Sequence, residues 1–385
     1  MSDARPTVLV GLGCFAPGHR VSGPNQSFAR AGAALAGQFR FRIVSIADPG
    51  ERPDRWTKMD ALERIALAPG RPFARGFTRL LRETPHDLLI CNGFFDRALT
   101  MPALLMHRLR RLPAPLLLAP RGEFTPGALG LKSGRKAAYV KLLRATGFLS
   151  GVSLQATGEG EASLLRNAFP ANRVLIGPNI RTLPPVPTHT APAPDGPLRV
   201  VFLSRIDRMK NLEFALDVLS KAGVPATLDI FGPQSDAAYW AECQARIATV
   251  SPSLSVRYHG AVAPEEVAAT LARFDLFILP TQGENFGHAI VDALLSGTPA
   301  LISDRTPWHG LAASCAGADL SLDDSAAWVA FVREMAGQSP TNRTAGRRAA
   351  RHFVEQRINL AGDTAQLALC INAALDGPRS AAKNR

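Results

Sequence analysis

Two carboxylates and two cations stand where chemistry would use them. Glu284 and Asp292 lie eight residues apart in FDLFILPTQGENFGHAIVDALLSGTPALISDRTPW, residues 274–308. The pattern predicts a buried strand ending at Pro280, a polar glycine-bearing loop carrying Glu284, and a helix starting near Phe286–His288. On that reading Asp292 sits about two turns deeper than Glu284, and both carboxylates project the same way. Carboxylates there accept hydrogen bonds from sugar or ribose hydroxyls, and the amides of Gly287 and His288 suit anionic groups. The cations come earlier, in SRIDRMKNLEFALDVL. Arg205 and Lys210 follow the expected strand Arg199–Leu203, at the C-terminal edge where open α/β sheets bind ligands. Asn211 is the expected cap of the next helix. Two cations beside a helix start make a phosphate site, each charge pair contributing about 4 kcal/mol at ~4 Å before desolvation. A basic connecting loop is the plainer alternative.

The first half carries glycines rather than charges at its candidate positions. GLGCFAPG after the first strand superficially fits a dinucleotide fingerprint, but Pro17 and Gly18 interrupt the helix which that motif requires. SGPNQSFARAGAAL, residues 22–35, is the better feature. Ser22, Gly23 and Pro24 read as a small-residue turn opening a helix, with Asn25 as its cap. Backbone there approaches a ligand closely, and unpaired amides at a helix start suit an anion. An ordinary strand–helix connection explains the same residues. His19, His107, His259 and His309 are isolated in sequence and read as surface or packing residues, and Trp308 reads as packing.

These residues need strands and helices to position them, and the sequence supplies both in alternation. Strands are expected at Thr7–Leu12, Phe39–Ser45, Asp87–Cys91, Pro115–Ala119, Gly151–Gln155, Arg173–Ile176, Arg199–Leu203, Ala226–Phe231, Ser255–Tyr258, Leu276–Leu279 and Ala300–Ile302. Most are nearly continuous apolar runs, as in parallel strands covered on both faces. The fold class is therefore α/β, with two doubly wound Rossmann-like domains. Expected boundaries are 1–182 for the first domain, 183–197 for a hinge with six prolines, and 198–360 for the second domain. Residues 361–385 form a last helix, with the option of crossing back to the first domain, and a tail.

Composition narrows the classes. The chain has 385 residues, enough for two cores, and its hydrophobic content of 46% with 20% charged is ordinary for a globular protein. The five cysteines are odd in number and scattered, with no CxxC, which supports neither a disulfide framework nor a structural zinc site. The start lacks a signal-peptide pattern and no window spans a membrane, so a cytoplasmic location is expected. Net charge is +12, and residues 1–190 carry 26 basic side chains against 12 acidic ones. Phosphorylated substrates and an anionic membrane surface fit that excess, as does a solvated exterior. Nucleic acid does not, since no basic stretch carries interleaved aromatics.

SRIDRMKN, followed by ENFGH, three residues, and DALLSGTPALISD, resembles the donor site of retaining glycosyltransferases of the GT-B fold, family four. That family's pattern is two carboxylates eight apart, usually both Glu; here the second is Asp292, one methylene shorter. The resemblance implies a GT-B architecture with two domains facing a cleft and a nucleotide-diphosphate sugar as donor. It implies that Arg205 and Lys210 hold the diphosphate, Glu284 the sugar hydroxyls and Asp292 the ribose. Gly23, Asn285, Phe286, Gly287 and His288 complete the donor contacts, and Glu284, Arg205 and Lys210 carry catalysis. FGPQSDAAYWAEC (231–243) and VRYHGAVAPEEV (256–267) fall where the family places loops near the base. CNGFF (91–95) and APRGEFTPGALGLK (119–132) are similar to a branch that modifies bacterial surface polysaccharides, giving Asn92, Arg121 and Glu123 as acceptor-side candidates. Many relatives carry a His near APRGE.

With no Asp-x-Asp triplet in the sequence, a metal-independent reaction without cofactor is expected, cations and helix-start amides supplying the positive field. The implied activity is retaining transfer of a sugar to a glycan or lipid-linked acceptor, in bacterial surface polysaccharide synthesis. Another GT-B enzyme (an epimerase or phosphorylase) and a non-catalytic sugar-nucleotide binder are the alternatives. The basic residues cluster in RPFARGFTRLLR (Arg71, Arg75, Arg79, Arg82), MHRLRRL (Arg108, Arg110, Arg111) and LKSGRKAAYVKLLR (Lys132, Arg135, Lys136, Lys141, Arg144). With apolar residues interleaved, these stretches suit the anionic inner face of a membrane, with solvated helix faces as the alternative.

Overall fold

The computed structural model describes residues 4–15, 23–47, 51, 55–59, 61–125, 127, 133–181 and 196–377. Pro17, Gly18, His19, Ser22 and Lys132, the tail from 378, and all of 183–197 but its last two residues lie outside the described residues. The packing divides the chain into two units: Met1–Thr182 with Asn359–Arg385, and Leu183–Ile358.

The first unit is built on an eight-stranded sheet in the order β3-β4-β2-β1-β5-β6-β7-β8. Its strands are β1 Thr7–Cys14, β2 Arg40–Ile46, β3 Trp56–Met59, β4 Leu62–Leu67, β5 Leu88–Asn92, β6 Leu116–Ala119, β7 Ser153–Ala156 and β8 Val174–Ile176. All pairings are parallel except β3 against β4. The helices are α1 Gly23–Leu35, α2 Arg71–Glu83, α3 Thr100–Arg108, α4 Ser133–Ala145 and α5 Glu159–Ala168. The last helix of the chain, Leu360–Leu375, belongs here as well. Its Leu367, Ala368, Cys370, Ile371 and Ala374 join Val8, Phe28 and Ile180 in one buried cluster, and Arg173 binds the Ala373 carbonyl at 2.7 Å.

The second unit holds a six-stranded sheet, β11-β10-β9-β12-β13-β14, parallel throughout. Its strands are β9 Leu198–Leu203, β10 Ala226–Phe231, β11 Leu254–Gly260, β12 Leu276–Leu279, β13 Ala300–Ser303 and β14 Gly317–Leu320. The helices are α6 Leu212–Ala222, α7 Ala237–Ile247, α8 Val267–Leu271, α9 His288–Leu295, α10 Ser325–Gly337 and α11 Pro340–Glu355; the last helix of the chain becomes α12. Both units are thus doubly wound.

Strands β3, β4 and β14 went unpredicted. In β4 the run LERIAL contains Glu63 and Arg64, and Arg64 is buried on Ser45 and Glu51. A strand that carries a paired buried charge does not read as an apolar run.

Candidate functional site

Strands β10 and β12 flank β9 on opposite sides, so the chain winds outward in both directions from β9. Doubly wound sheets bind ligands at such a switch point, beyond the strand C-termini. The loop after β9 carries Arg205 and Lys210, and the loop after β12 carries Glu284. These two loops are tied together. The Gln282 amide donates to the Met209 carbonyl at 2.7 Å, and the Thr281 hydroxyl donates to the same oxygen at 3.0 Å. The Glu284 amide donates to the Arg305 carbonyl at 3.0 Å, and Arg305 returns to the Gln282 side chain at 2.6 Å.

Within this frame the ammonium of Lys210 donates directly to the Glu284 carboxylate, an ion pair between residues 74 apart in sequence. Lys210 is 9% exposed. Its backbone amide is held by Asp207. The Arg205 side chain, 61% exposed, lies 3.3 Å from Asp207. Both cations are thus paired, Lys210 in a sheltered position and Arg205 in an exposed one.

Three local expectations change. Asn211 does stand at the cap position of α6, but in the left-handed conformation (φ 59°) and with no capping hydrogen bond from its side chain. Asn25 does not precede the helix, because α1 already begins at Gly23, and Asn25 is buried within the first turn. Glu284 lies in the loop and α9 starts at His288. The eight-residue spacing to Asp292 therefore spans a loop and about one helical turn, not two. Asp292 is partly buried on α9.

Asn285, Phe286 and Gly287 make the turn into α9. Gly287 has φ 76°, and a Cβ there would meet the Ile290 side chain at 2.8 Å. Trp308 supports this turn: its indole N–H donates to the Phe286 carbonyl at 2.5 Å, and the two rings meet edge-on. The expectation of a packing role for Trp308 holds. His259, read as a surface or packing residue, stacks on Phe231 and pairs with Asp229. The imidazole of His288 lies 4.7 Å from the Phe286 ring.

Two of the acceptor-side candidates, Asn92 and Arg121, meet within the first unit, at the C-terminal ends of its strands. Asn92 ends β5, and its side-chain oxygen accepts from Arg121 Nε at 2.8 Å. Arg121 Nη1 also donates to Asn179 Oδ1 at 2.8 Å. Burial lowers the Arg121 pKa to about 10, against the opposing pull of Glu161. Glu123 faces elsewhere: its carboxylate accepts the amides of Phe94 and Phe95. Burial raises the pKa of Glu123, and those amides partly offset the rise. Sequence reasoning missed Asn179, Ser27 and Glu161; the signal was a polar residue directly after a strand or at a helix start, which is common and unspecific.

Residues 190–311 match the family described as Glycosyl transferases group 1, a stretch containing Arg205, Lys210, Glu284 and Asp292. No curated protein sequence matches the chain. Among solved structures, sucrose-phosphate synthase from Thermosynechococcus elongatus aligns with TM-score 0.75 at 17% identity, covering 96% of this chain and 99% of that one. HepE from Anabaena, solved in complex with UDP and glucose, aligns with TM-score 0.70 at 16% identity, covering 96% and 100%. WaaG, a glycosyltransferase involved in lipopolysaccharide biosynthesis, aligns with TM-score 0.62 at 16% identity, covering 96% and 98%. The protein has the two-domain, Rossmann-like GT-B fold, and its second unit carries the glycosyltransferase group 1 match.

Proposed function

We propose that this protein is a retaining, metal-independent glycosyltransferase moving a sugar from a nucleoside-diphosphate donor to a glycan or lipid-linked acceptor, in bacterial surface polysaccharide synthesis. The observation that carries the reading is the Lys210–Glu284 ion pair at the β9/β12 switch point, with the exposed Arg205 beside it. A donor diphosphate brings negative charge to a site that already holds two cations. Lys210 and Arg205 then take the phosphates, and Glu284 turns to the sugar hydroxyls. Asn285 to His288 line the approach to α9, and Asp292 reaches the ribose directly or through water. Asn92 and Arg121 belong to the acceptor side. Glu123 does not, because both of its contacts go to backbone amides.

The reaction follows from the charges. As the bond between the anomeric carbon and the phosphate oxygen breaks, negative charge grows on the diphosphate, where Arg205 and Lys210 stabilise it. The acceptor hydroxyl attacks from the same face and passes its proton to the departing phosphate oxygen, so the anomeric configuration is kept. Neither Glu284 nor Asp292 is assigned as a nucleophile.

HepE is a neighbour solved with UDP and glucose, and UDP-glucose is the first donor to try. The test is release of nucleoside diphosphate from a donor panel, with and without oligosaccharide or lipid-linked acceptors and with chelator present. Acceptor-dependent release with an α-linked product supports the reading. Donor isomerised without acceptor, or donor bound and never turned over, overturns it.

The basic first unit is part of the same proposal. Arg75, Arg79 and Arg82 are exposed on α2. Helices α3 and α4 touch through Tyr139, which donates to the Met101 sulfur, and His107 of α3 bonds to the Ser150 carbonyl in the turn after α4. Around them Leu105, Leu109 and Leu142 are each about half exposed, interleaved with exposed Arg108, Arg110, Arg111, Lys141 and Arg144. Leucines among cations match the interface of an anionic leaflet, where a lipid-linked acceptor resides.

A further inference from the structure

The charge on Arg121 is the feature that the donor chemistry leaves unused. Arg121 adopts the left-handed backbone conformation, φ 54°, which strains a residue with a Cβ. Such strain persists where surrounding contacts over-determine it, and it gathers at ligand sites. The contacts here are specific. Nε donates to Asn92 at the end of β5, Nη1 donates to Asn179 just past β8, and the guanidinium lies 4.9 Å over the Phe28 ring of α1. Asn179 is buried, and its accepting oxygen is fixed by a second donor, the Ser27 hydroxyl, at 2.9 Å.

Every one of these partners is neutral. Among the described residues no carboxylate lies within ion-pair distance of the Arg121 guanidinium. Glu161 is the carboxylate whose field it feels, but the Glu161 oxygens are taken by the Gly122 amide at 2.5 Å and by the Thr157 amide and hydroxyl, each at 2.8 Å. Arg64 and Arg199 instead pair with Glu51 and Asp275, while buried Arg347 is held by the carbonyls of Ala272 and Phe274. A guanidinium has five N–H groups in a planar fork. With Nε and one Nη1 hydrogen engaged, the Nη1–Nη2 edge retains the geometry for two parallel bonds to a carboxylate or phosphate. The position, at the C-terminal ends of parallel strands, is where such sheets bind ligands.

We propose that Arg121, oriented by Asn92 and Asn179, binds an anionic group (a carboxylate or a phosphate monoester) carried by the sugar substrate. That the ligand is a sugar rests on the glycosyltransferase reading; that the site takes an anion does not. The full chain is titrated with glucuronate, glucose 6-phosphate, inorganic phosphate and neutral glucose at constant ionic strength, with binding followed by ligand-observed NMR. Charged sugars are expected to bind at least tenfold more tightly than glucose, and Arg121→Gln is expected to remove that preference. Asn179→Asp is the second variant. It places a carboxylate 2.8 Å from Nη1 while still accepting from Ser27, so it should keep or raise Tm and yet remove the preference. Equal binding of charged and neutral sugars by the native protein overturns the proposal, as does an unchanged preference in a folded Asn179→Asp. Arg121-dependent binding of inorganic phosphate with no binding of either charged sugar upholds the anion site and overturns its place in a sugar-binding reaction.

Discussion

At the scale of single residues, the site is a competition for one ammonium. Lys210 is held by Glu284 and largely withdrawn from water, so a donor must offer it more than a carboxylate does. In the proposed reaction a diphosphate does so through its larger charge, and Arg205, exposed on the same loop, adds the second contact. Lys210→Ala is expected to lower kcat/KM by at least 100-fold, about 2.7 kcal/mol of transition-state stabilisation. The variant also leaves Glu284 without its counter-charge, so Tm falls as well. The double variant Lys210→Ala/Glu284→Ala separates the two effects. It should regain Tm and remain inactive, and recovery of activity with Tm would remove Lys210 from the chemistry. Both residues were legible in sequence because each follows a strand that ends abruptly. Their ion pair was not, because 74 residues separate them and only the adjacency of β9 and β12 brings them together.

At the scale of elements, α9 and the turn before it set the geometry of the donor loop. Trp308 pins the turn from below, and α11 holds the neighbouring carbonyls from behind. Arg351 donates to the Leu295 carbonyl at the end of α9 at 2.9 Å. Arg347 donates to the carbonyls of Ala272 and Phe274 beyond α8. Cations at the C-terminal ends of helices are placed favourably for the helix dipole. The turn itself depends on Gly287, with φ 76°. Gly287→Ala forces a side chain into the left-handed region and toward Ile290, at roughly 1–2 kcal/mol. A Tm lower by a few degrees and a weaker donor Kd, measured by thermal shift and calorimetry, are the expected outcomes. Unchanged donor affinity would show that the turn does not position the ligand. The start of α9 is legible in the sequence, whereas β3, β4 and β14 are not, because paired charges and small residues hide a strand from any apolar pattern.

At the scale of the whole molecule, the charge divides unevenly, with 26 of the 44 Lys and Arg in residues 1–190. No helix among the described residues is long and apolar enough to cross a membrane. The half-exposed leucines on and beside α3 and α4 lie among cations, and the proposed contact with a leaflet surface rests on them. Each basic group near an anionic surface contributes about 1 kcal/mol, screened by salt. Co-sedimentation with anionic vesicles at low salt, its loss at high salt, and its absence with neutral vesicles are expected. No binding to anionic vesicles at low salt would mean that these faces meet only water.

The sequence alone determined the alternation of strand and helix, the positions of the long apolar strands, and the loops bearing Arg205, Lys210 and Glu284. Those are local properties: hydrophobic runs, turn residues and charges that follow a strand. Tertiary structure decided what local patterns do not encode. It tied Lys210 to Glu284 across adjacent strands, and it gave the last helix to the first unit, where Cys370 and Ile371 complete a core. It also gathered Ser27, Asn92, Arg121 and Asn179 from four distant segments. The physical reason is common to all three. Neighbours in a doubly wound sheet are set by crossover connections, and strands distant in sequence become adjacent only when the sheet is assembled.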